Sequence, residues 1–232
     1  MLDWLWNMVF PPRCPNCHRY VEQEGSWCPD CLNRLCRPHR LSLDAEMNEL
    51  FAGAWALGVY EGSLRNMLRQ LKYQKKQSVL PYLHSFAAEG MKRLAEKDSL
   101  ILPSVTKGIS AVGTMPIFAV PVPLHANRLK KRGFNQSQLI FQEPLADCGV
   151  QMQDWLQRTV DTVPQFGLDA GQRKKNLRQA FSLREAADVQ DKQIILVDDI
   201  MTTGATLKEC GQVLKMAGAG RLIGIVAASG HR

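Results

Sequence analysis

Two adjacent acidic residues and a group of small hydroxyl residues stand together near the C-terminal end of the chain. The stretch IILVDDIMTTGAT begins as an apolar run, continues with Asp198 and Asp199, and then reads Thr-Thr-Gly-Ala-Thr. Because adjacent carboxylates repel each other, the pair is expected to hold bound donors. The vicinal hydroxyl groups of a ribose ring are suitable donors, and a nearby Mg²⁺ would offset the repulsion. The pair is therefore a candidate sugar site.

The residues after the acidic pair have the types that bind a phosphate group. They predict a turn into a helix that begins near Gly204. A helix start presents free backbone N–H groups and the positive end of the helix dipole. Gly204 lacks the Cβ that would block a phosphate, and the hydroxyls of Thr202, Thr203 and Thr206 add donors. The alternative is an ordinary strand–helix turn capped by a threonine, but such a cap requires neither two acids nor three threonines.

A second candidate group is basic and follows another predicted strand. Within VPVPLHANRLKKRGFNQS, four basic residues share one predicted loop: Arg128, Lys130, Lys131 and Arg132. Such groups stabilise the charge that develops on a leaving pyrophosphate. Gly133 would let the backbone turn tightly before a helix that is expected to begin near Asn135. The alternative is a solvated basic surface loop.

Four of the seven cysteines form two Cys-x-x-Cys pairs within CPNCHRYVEQEGSWCPDC. Four thiolates in two tight turns suit a tetrahedral structural Zn²⁺, and the candidate ligands are Cys14, Cys17, Cys28 and Cys31. Cys36 or His39 replacing one of these ligands is an alternative. Haem attachment at Cys-Pro-Asn-Cys-His would require export, and a redox dithiol would need a single pair at a helix start.

The composition is that of a folded globular protein with a basic surface. The chain has 232 residues, of which 45% are hydrophobic and 22% charged, and its net charge is +7. The surplus suggests an anionic partner, either nucleic acid or phosphorylated metabolites, although a merely basic surface is an equal alternative. No apolar run approaches the roughly 20 residues of a membrane span, and the apolar N-terminus lacks the basic start of a signal peptide. We therefore expect no membrane span and a cytoplasmic location.

Strands and helices alternate along most of the chain, which predicts an α/β fold with a mainly parallel sheet and helices on both faces. Strands are predicted in FAGAWALGVYEG, IFAVPVP, VQMQDWLQRTV, QIILVDD and RLIGIVAAS, and helices in SLRNMLRQLKYQKK, SVLPYLHSFAAEGMKRLAEK and GATLKECGQVLKMAG. Ligands of open α/β sheets bind past the carboxyl ends of the strands, which is where the acidic pair stands. We expect an N-terminal helix and zinc ribbon at residues 1–45 and the α/β domain at residues 46–232.

The stretch with the two acids resembles the motif that binds 5-phosphoribosyl 1-pyrophosphate (PRPP) in type I phosphoribosyltransferases. Together with VPVPL…RGFNQS, the segment RT…Q…L…R…N…AF, the stretch LRQLKYQKK and the paired cysteines, it makes the chain similar to the ComF/GntX family. Members of that family resemble amidophosphoribosyltransferases and are linked to competence, the uptake of DNA during natural transformation. The resemblance extends from about Phe10 to Ala228.

The resemblance implies a type I phosphoribosyltransferase-like domain behind the zinc ribbon, with a role for each matching residue. It implies PRPP contacts for Asp198, Asp199, Met201, Thr202, Thr203, Gly204, Ala205 and Thr206. It implies a pyrophosphate loop with Leu124, His125, Arg128 and Arg132, a mobile hood with Arg158, Gln165, Arg173 and Asn176, and catalytic roles for Asp198, Asp199 and Arg132. The stretch from Leu100 to Pro116 is longer and richer in glycine than the family pattern.

Three functional hypotheses follow from the resemblance. The first is a protein that binds PRPP and Mg²⁺, acts in DNA uptake and transfers the phosphoribosyl group to an acceptor that the sequence does not identify. The second is a competence module that binds single-stranded DNA through its zinc ribbon, basic clusters and aromatic residues. The third is a PRPP-sensing adaptor without turnover, whose partners would be proteins of the competence machinery.

Overall fold

The computed structural model of the chain describes residues 10–97, 116–160 and 180–230. Three predicted features lie wholly or mostly outside these residues: the N-terminal helix, the glycine-rich stretch at 100–116 and the hood segment.

The described elements follow one another in this order: α1 (Pro29–Leu35), β1 (His39–Arg40), α2 (Ala45–Leu50), β2 (Gly53–Val59), α3 (Gly62–Gln74), a 3₁₀ turn (Gln77–Val79), α4 (Leu80–Lys97), β3 (Ile117–Pro121), α5 (Ala126–Arg132), α6 (Gln136–Ala146), β4 (Gln151–Met152), β5 (Leu156–Arg158), β6 (Phe181–Leu183), β7 (Gln193–Met201), α7 (Ala205–Met216) and β8 (Leu222–Ser229).

Six strands form the main sheet in the order β1-β2-β8-β7-β3-β4. All neighbours are parallel except β1, which runs antiparallel to β2 at the edge. Val197 of β7 lies between Pro121 of β3 and Ile225 of β8, so the acidic pair follows directly from the centre of the sheet. The predicted mainly parallel sheet is confirmed.

Alternate residues of β7 enter two separate hydrophobic cores, one on each face of the sheet. Ile195 and Val197 pack in the core that α3, α4 and α6 share. Ile194 and Leu196 pack in the core formed with α2, α7 and the small β5–β6 sheet. A strand that is buried on both faces needs a continuous apolar run, and IILV supplies one. The prediction of helices on both faces is confirmed.

The basic stretch after β3 forms the helix α5, whereas the sequence predicted a loop. His125 caps this helix, since its Nδ1 accepts a hydrogen bond from the Asn127 N–H at 3.3 Å. Gly133 ends it with a φ of +91°, a left-handed conformation that suits glycine. Histidine is an uncommon N-cap, so sequence preferences alone did not indicate this helix.

The predicted strand in VQMQDWLQRTV is two short strands that belong to different sheets. β4 extends the main sheet beside β3, while β5 pairs antiparallel with β6. Asp154 and its neighbours between them change the chain direction. The predicted extended conformation is therefore correct, but the prediction of one continuous strand is wrong.

The N-terminal segment is joined to the α/β domain by packing and by the strand β1. The indole Nε1 of Trp27 donates to the Tyr82 carbonyl at 2.8 Å, and its ring lies 5.6 Å from the Phe86 ring. The division at residue 45 remains a prediction, although β1 pairs with β2 across it. In the part of the chain that the structure describes, no helix is long and apolar enough to cross a membrane.

Candidate functional site

A cavity of about 890 Å³ opens at the carboxyl ends of β3 and β7. Its walls come from the acidic pair, from the turn that leads into α7, from α5 and from the last turns of α3. The basic side chains that line it outnumber the two acids: Arg69, Lys72, Lys75, Arg128, Lys131, Arg132 and Arg158. A cavity with this charge distribution suits a ligand that carries phosphate groups as well as hydroxyl donors.

Asp198 is held on one carboxylate oxygen by two donors. Its Oδ1 accepts from the Ser137 hydroxyl at 2.8 Å and from the Asp199 N–H at 2.8 Å. Burial and the adjacent charge of Asp199 raise the pKa of Asp198 to about 7, against the lowering effect of those hydrogen bonds. This carboxyl group therefore changes its ionisation near neutral pH.

Asp199 is buried, with only 4% of its surface exposed. Its Oδ1 accepts from the Ile200 N–H at 2.9 Å. Its Oδ2 is buried and has no hydrogen-bond partner among the described residues, and Lys72 Nζ lies 3.6 Å from it. A carboxylate oxygen in this state fits a ligand hydroxyl or a Mg²⁺ ion, since both complete its coordination.

The turn from β7 into α7 brings together the predicted phosphate-binding residues. Met201, Thr202, Thr203, Gly204, Ala205 and Thr206 all line the cavity. Gly204 stands at the N-cap of α7 with a φ of +75°. A Cβ at Gly204 would lie 2.9 Å from Met201 Cε and 3.0 Å from Met47 Sδ, so no larger residue fits without displacement. The first N–H groups of an α-helix have no intrahelical acceptor, so the start of α7 can donate to an anionic ligand.

The predicted pyrophosphate residues divide into two groups. Leu124, Arg128 and Arg132 line the cavity together with Lys131. His125 is not among the lining residues and instead caps α5. Arg132 donates to the Gln136 side chain, and burial lowers the pKa of its guanidinium group.

The structure adds residues that the sequence did not assign to the site. Lys72 and Tyr73 of α3 and Gln136 of α6 line the cavity, and Ser137 contacts it through Asp198. Asn135 supports this wall, because its Nδ2 donates to the Val122 carbonyl at 2.9 Å while its Oδ1 caps α6. These residues stand in the stretches LRQLKYQKK and RGFNQS, which carry part of the resemblance to the ComF/GntX family. The sequence thus marked both stretches but did not indicate what each residue does.

One predicted hood residue lies within the described residues. Arg158 is on β5, where it lines the cavity and places its guanidinium carbon 5.2 Å from the centre of the Phe181 ring. Gln165, Arg173 and Asn176 lie outside the described residues.

The four cysteines predicted to bind zinc form one cluster at a distance from the cavity. The sulfur atoms of Cys14, Cys17, Cys28 and Cys31 all lie within 4.8 Å of one another. Four thiolates at this spacing fit a tetrahedral structural Zn²⁺. In the described residues the cluster includes neither Cys36 nor His39, and the Cys36 thiol instead approaches the Phe86 carbonyl at 3.9 Å.

The side chain of Asn16 joins this cysteine cluster to the α/β domain. Asn16 Nδ2 donates to Cys31 Sγ at 3.2 Å, while its Oδ1 accepts from the Ser63 hydroxyl at 3.0 Å. The Ser63 hydroxyl is also 2.9 Å from the Pro15 carbonyl. Such contacts orient metal ligands, and here they fix the zinc knuckle against the start of α3.

Two protein families match separate parts of the chain. Residues 146–232 match the phosphoribosyl transferase domain, and residues 5–41 match the double zinc ribbon domain. The chain is 32% identical over 213 residues to the DNA utilization protein YhgH of Salmonella typhimurium, covering 89% of this chain and 85% of that protein. It is also 35% identical over 106 residues to competence protein F of Haemophilus influenzae, covering 45% of this chain and 46% of that protein.

A solved structure of hypoxanthine-guanine phosphoribosyltransferase from L. donovani is similar at 15% identity and a TM-score of 0.37, over 62% of this chain and 70% of that chain.

Proposed function

Since the chain belongs to the ComF family, with a type I phosphoribosyltransferase fold and a double zinc ribbon, we propose that it binds PRPP together with Mg²⁺ and acts in the handling of DNA. We place this binding in the cytoplasm, where thiols stay reduced and the four cysteines can hold zinc.

The observation that carries this proposal is the buried Oδ2 of Asp199, which has no hydrogen-bond partner among the residues described and stands at the phosphate-binding turn. A buried charged oxygen without a donor is costly unless a ligand completes its contacts. A sugar 5-phosphate does this, because its ring hydroxyls reach the acids while its phosphate contacts the start of α7.

Each group of residues has a separate task in this proposal. Asp198 and Asp199 accept hydrogen bonds from the ribose hydroxyls. The amides of α7 and the hydroxyls of Thr202, Thr203 and Thr206 hold the 5-phosphate. Arg128 and Arg132 bind the pyrophosphate, which they approach from α5.

Mg²⁺, held beside Asp199, would neutralise charge on the pyrophosphate and so make it a better leaving group. Turnover would break the bond between C1 of the ribose and the pyrophosphate oxygen and form a bond from C1 to the acceptor. The chain would supply position and charge rather than a covalent nucleophile, since Arg132 stabilises the departing pyrophosphate and the acids orient the ring.

Calorimetry with PRPP and Mg²⁺ tests the proposal. The wild type should bind in the micromolar range, which corresponds to about 8 kcal/mol, and Asp198→Asn/Asp199→Asn should show no measurable binding. The matched control is Asp188→Asn/Asp191→Asn, which makes the same chemical change at two exposed acids outside the cavity. Equal binding by the wild type and the first double variant would rule the proposal out.

Single-stranded DNA is a second candidate ligand because an aromatic side chain stands exposed at the basic cavity. Tyr73 is 66% exposed and follows Lys72 directly. Exposed aromatic rings beside basic groups can stack on unpaired bases. Binding of fluorescent oligothymidine that weakens steeply with salt and weakens again in Tyr73→Ala would support this function, and binding that is insensitive to both would exclude it.

A further inference from the structure

We propose that Lys72 is the internal counter-ion of this site: its ammonium group takes the place of Mg²⁺ beside Asp199 when no ligand is bound, and it moves to the pyrophosphate when Mg²⁺ and ligand enter. This inference rests on the proposed function and adds a residue to it.

The position of Lys72 relative to Asp199 is the first observation. Its Nζ lies 3.6 Å from Asp199 Oδ2, with 30% of the Lys72 side chain and 5% of the Asp199 side chain exposed. This distance allows strong attraction but is too long for a hydrogen bond. The positive charge of Lys72 therefore offsets the negative charge on Oδ2, but Oδ2 accepts no hydrogen bond among the described residues. A ligand that binds Oδ2 directly can replace Lys72 there.

The second argument is that charge repulsion prevents Lys72 and Mg²⁺ from standing beside Asp199 Oδ2 at the same time. A cation bound to Asp199 Oδ2 would stand within a few ångströms of the ammonium group of Lys72. Mg²⁺ and the ammonium group would together place three positive charges beside the acid pair, which carries at most two negative charges. Asp198 Oδ1 is already engaged, since it accepts from the Ser137 hydroxyl and the Asp199 N–H. Lys72 must consequently leave when Mg²⁺ arrives.

The third observation is that only the side chain of Lys72 needs to move. Leu68 and Leu71 are 1% and 0% exposed and fix the last turns of α3 in the core. The ammonium group stands on a flexible four-carbon stem, so it can swing across the cavity while the helix stays in place. Arg128 and Arg132, which are proposed to bind the pyrophosphate, line the same cavity.

The experiment compares Lys72→Met with wild type in the full, zinc-loaded chain. Mn²⁺ serves as the metal probe, and free Mn²⁺ is measured by electron paramagnetic resonance in the absence of PRPP. We expect Lys72→Met to bind Mn²⁺ at least threefold more tightly, because no ammonium group competes for Asp199. We expect the same variant to bind inorganic pyrophosphate with Mg²⁺ at least tenfold more weakly.

Lys76→Met is the matched control, since it removes the same charge from an exposed lysine that does not line the cavity. It should change neither affinity by more than twofold. Zinc content and the thermal midpoint show whether each variant is folded, and Lys72→Gln repeats both measurements if the methionine variant is unstable.

Unchanged or weaker Mn²⁺ binding in both Lys72 variants would overturn the counter-ion assignment. Unchanged pyrophosphate binding would overturn the proposed movement. If wild-type protein failed to bind PRPP while Lys72→Met still bound Mn²⁺ more tightly, the proposed function would fall and the counter-ion assignment would stand.

Discussion

The hydroxyl of Ser137 donates a hydrogen bond to Asp198 Oδ1 at 2.8 Å, which joins the start of α6 to the end of the central strand. The same carboxylate oxygen accepts from the Asp199 N–H, so both donors stabilise the ionised form of Asp198. Their effect opposes the burial and the adjacent charge that raise its pKa to about 7. Ser137 thus adjusts the pH at which the acid pair becomes fully charged.

Ser137→Ala should move the pH dependence of PRPP binding to higher pH. Loss of the hydrogen bond removes a contribution that lowers the Asp198 pKa, so the carboxylate forms at a higher pH. Calorimetry between pH 6 and 9 should show affinity that rises with pH in both proteins, with the variant's rise displaced upward. Ser137→Thr, which keeps a hydroxyl, should restore much of the wild-type profile, and superimposed profiles for wild type and Ser137→Ala would contradict this role.

The raised pKa of Asp198 also predicts how stability changes with pH. From its ordinary value of 3.8, the pKa rises to about 7 in the folded protein, so the folded state keeps a proton that the unfolded state loses between those values. The contribution of Asp198 to the unfolding free energy is therefore greatest below pH 3.8 and falls as the pH rises towards 7. The fall is at most about 1.4 kcal/mol per pH unit.

Urea unfolding of wild type and Asp198→Asn at pH 5, 6 and 7 measures this dependence. The amide does not titrate, so the variant should become more stable relative to wild type as pH increases. Titrating groups remote from Asp198 affect both proteins alike and cancel in the comparison. A difference in unfolding free energy that stays constant across the three pH values would show that Asp198 titrates normally.

Gly204→Ala should abolish most phosphate-ligand binding while leaving the protein folded. The added Cβ would lie 2.9 Å from Met201 Cε, and the φ of +75° is unfavourable for alanine by about 1 kcal/mol. The side chains of Met201 and Met47 can shift, but relaxation of the backbone from this φ would move the amides of α7 away from the phosphate. We therefore expect at least a tenfold loss of PRPP affinity in calorimetry.

Gly149→Ala is the control for the backbone effect alone. Gly149 has a φ of +73°, and a Cβ there would meet no atom within 4 Å. Gly149→Ala should lower the unfolding free energy by about as much as Gly204→Ala does, without weakening PRPP binding. Equal losses of affinity in the two variants would mean that general destabilisation, and not the shape of the turn, determines binding.

The sequence allowed prediction of the position of the acid pair and of the turn into α7 because these features are local. An apolar run, two acids and T-T-G-A-T specify a strand end and a helix start within a few residues. Lys72 could not be placed in the same way, since its approach to Asp199 depends on how α3 packs on the sheet. The helix α5 was missed because its cap is His125, a residue type with little capping preference.

The zinc ligands were likewise predicted from spacing, while their connection to the domain was not. Two Cys-x-x-Cys pairs are sufficient to indicate four ligands. The contact of Asn16 with Ser63 depends on tertiary packing between segments that are distant in sequence. The cysteine spacing therefore indicates the metal site, whereas its contact with α3, the helix that carries Lys72, appears only in the folded chain.

Cys14→Ser should release zinc and destabilise the protein, whereas Cys36→Ser should keep the metal. Cys14 belongs to the four-sulfur cluster, while Cys36 lies outside it and is buried against α4. Wild type and Cys36→Ser should contain about one zinc per chain by elemental analysis, and Cys14→Ser much less. Without zinc the knuckle cannot hold Trp27 against Tyr82 and Phe86, so we expect the thermal midpoint to fall by roughly 6–12 °C, as a loss of about 3 kcal/mol implies for a chain of this size. Full zinc occupancy in Cys14→Ser, or zinc loss in Cys36→Ser, would mean that the ligand set is different.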